Sequence, residues 1–466
     1  MTSVRLVVDE IKANDISNGI GDDGAPFELG GDEIYFFSTG GGGTGDIVGD
    51  HLGNFDFDEG DVKKNIELAQ VEVGNGDAAG FNVFIGESDF GWGKIFQGIT
   101  GLAQGVGSVI KGVKKDLDLE KIGKGAQQIA DSGTQIYNTI QEGDDDSIGL
   151  FGFTAVNEGG QFNFAWSPGK DADTTLLTPE EANFAIFNAT GGGANYTLRV
   201  RASLVGSQSA DLISGNNRGD LIDGGDGNDT LQGEAGNDTL EGSGAQDWLY
   251  GGQDNDLLNG GQGDDRLFGE EGQDTLQGES GQDSLNGGQN NDLLNGGNGD
   301  DRLFGEQGND VLAGGQGQDR LWGGSDNDLL EGGGEEDWLY GEAGDDTLLG
   351  GSDVCRDVLF GGEGDDLLNS GLGDDYLNGE AGFNTLMGGG GYDTFVVTSP
   401  GYAIVTDFEV GVDRIVFEGL DPADLQFMNS GGSISIGNGT NSFAQLNGVQ
   451  QGDLSDEDFL KLITRS

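Results

Sequence analysis

The sequence predicts a mainly β chain whose second half is a repeat solenoid. Three observations carry this. Residues 206–396 read in nines, an apolar residue returns at the eighth position of each unit, and the residues before them form short apolar runs separated by Gly, Asp and Asn turns.

The repeat is the strongest of the three. Gly224-Gly-Asp-Gly-Asn-Asp229-Thr-Leu231-Gln is followed by Gly233-Glu-Ala-Gly-Asn-Asp238-Thr-Leu240-Glu. The frame starts at Gly206 and runs through 21 units, of which the one at 350–360 carries two extra residues. A period of 36 lies over it: Gly260-Gly-Gln-Gly-Asp-Asp-Arg-Leu-Phe268 returns as Gly296-Gly-Asn-Gly-Asp-Asp-Arg-Leu-Phe304. A disordered Gly-rich linker has no reason to hold a Leu in frame over this length. Glycines at the first, second and fourth positions allow a tight turn with positive φ. Asp at the sixth position adds a carboxylate, and such a turn can aim backbone carbonyls inward. That donor set suits a hard cation taking about 6–8 oxygens. The apolar eighth residue belongs to a short strand and points to the core, where burying one Leu is worth about 1.5–3 kcal/mol.

These units resemble the hemolysin-type (RTX) calcium-binding nonapeptide, G-G-x-G-x-D-x-U-x. The resemblance implies a right-handed parallel β-roll in which two nonapeptides make one coil, about ten coils in all, with calcium between the turns of successive coils. It nominates Gly224, Asp226, Asn228, Asp229, Gly233 and Asp238 as metal ligands in the first clear units. Further along it nominates Asp247, Asp256, Asp265, Asp274, Asp283, Asp292, Asp301, Asp310, Asp319, Asp328, Asp337, Asp346, Asp357, Asp366 and Asp375. Ser370 in place of the first Gly, Asn384 in place of Asp and the lengthened unit weaken the pattern between 350 and 390. Type I export, also implied by the resemblance, makes the type I secretion apparatus a partner and puts the export signal in the last fifty or so residues. It fits an N-terminus that shows no apolar leader segment.

Charge supports a cation requirement. The chain holds 84 Asp+Glu against 21 Lys+Arg, a formal charge of -63. The repeats hold 42 acidic residues, five Arg and no Lys, which leaves 37 uncompensated charges. Such a chain repels itself until cations bind, so the expectation is coupled folding and binding once calcium is plentiful outside the cell. The same charge speaks against nucleic acid as a partner.

Odd and even units fall on opposite sheets if two units make one coil. Trp248, Tyr250, Phe268, Phe304, Trp322, Trp338, Tyr340, Phe360 and Tyr376 stand at outward positions seven and nine of odd units, as do Arg266, Arg302 and Arg320. This face is a candidate surface for self-association or for a cell-surface polysaccharide; the plainer expectation is that the aromatics stack on one another along the ladder.

Elsewhere the reading is coarser. Residues 1–205 carry about eight strand candidates, weakly similar to a C2-type β-sandwich, with acidic loops at Asp22-Asp23 and Asp56–Asp61. A helical hairpin is expected as an insertion at 93–142, with a Gly-rich, Lys-flanked first helix over 93–115. Residues 397–466 are expected to form a β-cap and the secretion signal. One His, His51, precludes an H-E-x-x-H zinc site, and no G-x-S-x-G elbow occurs, so the chain is expected not to be an enzyme. The single cysteine, Cys355, is expected to be a buried small hydrophobe, the alternative being a free thiol able to cross-link two chains. Three functions remain in view: a secreted calcium-binding structural or cell-surface protein, a membrane-active toxin acting through 93–115, and a secreted carbohydrate-active protein.

Overall fold

The computed structural model describes residues 204–420, 424–429, 431–439 and 441–449 in full, and the backbone of ten strands between Ser3 and Val205. Residues 204–417 wind as a parallel β-solenoid of about 12 turns. The chain divides into two compact units, Met1–Thr239 and Leu240–Ser466.

In the first unit, the strands before residue 205 pair antiparallel with one another, for example Ser3–Ile16 with both Val62–Glu72 and Ala194–Val205. Parallel pairing begins where Ala194–Val205 ends: Leu204 faces Ile222 and Val205 faces Asp223. Leu212–Ser214 then pairs in parallel with Thr230–Ala235. The hairpin expected at 93–142, the Asp22-Asp23 loop and the chain after residue 450 lie outside the described residues, as does the packing of the first 205 residues into layers.

In the second unit each strand pairs with the strand 18 residues on, so alternate nonapeptides build two parallel sheets. Trp248–Gln253, Arg266–Glu271, Ser284–Gln289, Arg302–Gln307, Arg320–Ser325 and Trp338–Ala343 follow one another in one sheet. Leu257–Gln262, Thr275–Ser280, Leu293–Asn298, Val311–Gln316 and Leu329–Gly334 do so in the other. The register puts equal repeat positions side by side, Leu249 beside Leu267 and Leu267 beside Leu285. Strand alternation sends the eighth residue inward and the seventh and ninth outward. From Leu249 to Leu386 every eighth-position Leu is fully buried.

The lengthened unit does not disturb this winding. Its two extra residues bulge out at the turn, where Val354 is 78% exposed, and Trp338–Ala343 still pairs in register with Val358–Glu363. Cys355 is half-buried rather than buried, because it sits on that bulge and not in a strand. Parallel winding also runs past Val396, where the nonapeptide frame ends: Thr394–Val397 pairs with Arg414–Phe417. The count of turns therefore exceeds the ten or so that 21 units imply. Gly401–Val405 pairs in parallel with Ser442–Asn447, which joins Ser433–Gly437 and Gln426–Asn429 in an antiparallel arrangement. Among the described residues no helix is long and apolar enough to cross a membrane.

Candidate calcium-binding turns

Each turn combines special backbone at its first, second and fourth positions with a carboxylate at the sixth. Positive φ falls on the second and fourth residues, as at Gly261 (φ 98) and Gly263 (φ 134). The first glycine has a different role. A Cβ on Gly332 would stand 2.5 Å from Asp337 Oδ2 and 2.7 Å from the carbonyl oxygen of Gly350. The first position is thus glycine for space, and its missing side chain leaves a small cradle lined by a carboxylate oxygen and a carbonyl of the next coil.

The sixth-position Asp residues are the most regular feature of the site. In the first unit the Asp211 N–H donates to Asp229 Oδ1 (2.7 Å) and the Asp220 N–H to Asp238 Oδ1 (2.5 Å). In the second unit one row links Asp247, Asp265, Asp283, Asp301, Asp319, Asp337, Asp357 and Asp375, each N–H donating to Oδ1 of the next at 2.7–3.0 Å. The other links Asp256, Asp274, Asp292, Asp310, Asp328, Asp346 and Asp366 in the same way at 2.8–3.0 Å. All of them are buried. Oδ1 is therefore satisfied within the protein. Oδ2 is not: in Asp265, Asp274, Asp283, Asp292, Asp301, Asp310, Asp319, Asp328, Asp337, Asp346, Asp366 and Asp375 it is buried without a hydrogen-bond partner.

Stranded carboxylate oxygens of this kind are costly. Burial raises Asp292, Asp301, Asp328 and Asp337 to about 8, with the like charges of neighbouring coils adding to it. For Asp301 those charges are Asp283 and Asp319. Asp265, Asp274, Asp310, Asp319 and Asp346 rise to about 6 from burial, and Asp283, Asp357 and Asp366 to about 7. A cation beside Oδ2 removes this penalty. No group of three His, Cys, Asp or Glu side chains gathers among the described residues. A hard cation here would take most of its ligands from turn carbonyls, with the sixth-position Asp as the anionic one.

Of the ligands nominated in the first clear units, Gly224, Asp229, Gly233 and Asp238 are buried, while Asp226 and Asn228 are exposed. Four ladder members fell outside the nominated set: Asp211, Asp220, Asp393 and Asp413. The Asp375 N–H donates to Asp393 (3.0 Å) and the Asp393 N–H to Asp413 (3.2 Å). The signal was present as an Asp two residues before an apolar one, in Asp393-Thr-Phe395 and Asp413-Arg-Ile415.

The two substitutions behave differently. Ser370 Oγ donates to the Gly388 carbonyl (3.0 Å), so this first-position side chain finds a partner. Asn384 Oδ1 keeps the ladder by accepting from the Asp366 N–H (2.8 Å), but its Nδ2 donates to the Gly379 carbonyl (2.7 Å). An amide donor stands where other units carry the stranded oxygen, so that turn satisfies itself without a cation.

A comparison with protein-family models agrees with this geometry. The RTX calcium-binding nonapeptide repeat family matches overlapping windows over residues 205–354 and a further window over 356–386. Among solved structures, the crystal structure of extracellular lipase LipA from Serratia marcescens is similar at 16% identity, over 53% of this chain and 45% of that chain, with a TM-score of 0.19. The alignment thus spans less than half of the lipase's length. No curated protein matches the chain.

Proposed function

Because residues 205–386 are RTX calcium-binding nonapeptide repeats, we propose that the chain is a secreted, non-enzymatic, calcium-binding protein of the cell surface or extracellular matrix, whose repeats fold when they meet calcium after export. The observation that supports this most is the double row of buried carboxylates with unpartnered Oδ2 atoms. Without a cation those rows must take up protons or come apart; with one, each Oδ2 gains the partner that the protein does not supply. Type I export delivers such a chain unfolded, and calcium outside the cell supplies the missing binding energy.

The test is circular dichroism of the whole chain against calcium concentration, with sedimentation alongside. The expected result is a cooperative gain of β signal in calcium that EDTA reverses. No gain sinks the folding switch, and a gain without assembly leaves calcium binding standing but removes a structural role built on self-association.

A further inference from the structure

One sheet of the second unit carries a row of arginines that the calcium turns do not use. The register sets Trp248, Arg266, Ser284, Arg302, Arg320 and Trp338 side by side at the seventh position of successive strands. Strands lie about 4.8 Å apart, so Arg302 and Arg320 are immediate neighbours and the row runs about 24 Å. All three arginines are exposed. The guanidinium of Arg266 lies 4.7 Å from the ring centroid of Trp248. Among the described residues no carboxylate forms an ion pair with Arg266, Arg302 or Arg320, whereas Arg356 pairs with Glu336 at the lengthened turn. A chain with 84 acidic side chains has every means to neutralise three arginines, and here it holds them together in the open.

The neighbouring ninth-position row narrows what this face does. Phe304, Trp322, Tyr340 and Phe360 stack with centroids 4.6, 5.5 and 5.2 Å apart and planes within 6°. Their faces cover one another, so they are not open platforms for sugar rings. The plainer sequence expectation describes them: they brace the sheet. What remains for a ligand is the arginine row with a tryptophan at each end, of which Trp338 is 36% exposed.

We propose that this row binds an anionic polysaccharide of the polyuronate kind, and that it does so only in the calcium-loaded protein. Charge selects a polyanion, because guanidiniums pair with carboxylates in a fixed fork. A second copy is disfavoured, since two such rows laid face to face oppose guanidinium to guanidinium. An acidic peptide is disfavoured too: peptides add to sheet edges, and this is a sheet face whose backbone groups are spent in the ladder. A stiff polymer with a carboxylate on each ring suits a straight row. Calcium acts at a distance. It aligns the row by folding the repeats, and each bound ion removes two of the 37 excess negative charges that otherwise repel the polymer.

The inference rests on the calcium-folded repeats proposed above, so the experiment reads both. The whole chain, in millimolar calcium, is titrated into a labelled polyuronate hexamer and followed by fluorescence anisotropy, with circular dichroism on the same samples. Binding is expected for the natural chain and not for a neutral dextran hexamer. The R302Q/R320Q pair should lose about tenfold or more in affinity with an unchanged calcium transition, and R302K/R320K, which keeps the charge but not the fork, should recover only part of it. Equal binding by R302Q/R320Q would show calcium bridging at the turns instead and overturn the proposal. Equal binding of dextran, or of poly-glutamate, would overturn the choice of partner. Loss of the calcium transition itself overturns the folding reading, and this one with it.

Discussion

Without a cation, the buried sixth-position aspartates keep their protons to higher pH than ordinary carboxylates, and the sign of that shift fixes a pH dependence. In the folded repeats, burial first and neighbouring carboxylates second raise Asp292 and Asp301 to about 8 and Asp283 to about 7, against about 4 for a free Asp. A raised folded pKa means folding takes up protons. That contribution to stability is complete below about pH 4 and is lost as pH rises through 6 to 8. In EDTA, then, β signal should grow as pH falls from 8 to 5; a gain confined to pH 4 and below would contradict the buried ladder. The glycines give a second test at the same scale. Gly332→Ala fills the cradle between Asp337 Oδ2 and the Gly350 carbonyl, so calorimetry should show a lost calcium site and a transition moved to higher calcium. Glu342→Gly should do the opposite. Glu342 has φ 74, and removing its Cβ relieves about 1–2 kcal/mol of left-handed strain against a smaller gain in unfolded-chain entropy. Calcium titration of the two variants should shift in opposite directions. The letter G conceals this difference in the sequence: first-position Gly answers to space alone, second- and fourth-position Gly to φ as well, since a Cβ on Gly261 or Gly263 would also meet a carbonyl of the preceding coil.

Strands and turns divide into what pattern reveals and what it hides. The inward Leu, the two-unit coil and the buried Asp follow from a nine-residue period, because each depends on the alternation of one strand and the spacing of one turn. The end of the winding was hidden: residues 397–412 lack the glycine signature, yet Asp413-Arg-Ile415 still places a carboxylate on the ladder and an apolar residue in the core. The self-satisfied turn at Asn384 was hidden as well, since only geometry tells that an amide nitrogen reaches the Gly379 carbonyl. Aromatic positions were legible and their use was not, because stacking against neighbours and presentation to a ligand share one pattern. That distinction is testable. Trp322 stacks on both Phe304 and Tyr340, whereas Trp338 has no stacked ring partner among the described residues. Each stacked aromatic pair is worth about 0.5–1.5 kcal/mol, so Trp322→Thr should lower the stability of the calcium-loaded protein by about 1–3 kcal/mol more than Trp338→Thr. Urea unfolding in calcium measures both, and equal losses would mean the stack contributes nothing beyond burial.

At the scale of the whole molecule, the calcium transition should be steep and its steepness should depend on the length of uninterrupted ladder. Each Asp donates its N–H to the carboxylate one coil on, so a turn is complete only when the next coil is in place. Solenoid stability is a sum of unit terms and neighbour terms, and in these repeats the unit term is unfavourable until a cation arrives. Binding one ion therefore prepares the neighbouring site, and the coils should form together over a narrow range of calcium. An interruption in the middle divides the array. Asp301→Asn places an amide where Oδ2 stands unpartnered, as Asn384 does near the C-terminal end. The fold should tolerate it, since Oδ1 still accepts from the Asp283 N–H. The calcium sites beside it should weaken, so the β signal should rise with a lower Hill coefficient while its final amplitude stays close to that of the natural chain. Asp301→Ala removes the ladder acceptor too, and should cost amplitude as well as steepness. If both variants keep the natural Hill coefficient, the coils bind calcium independently and the hydrogen-bonded rows do not couple them.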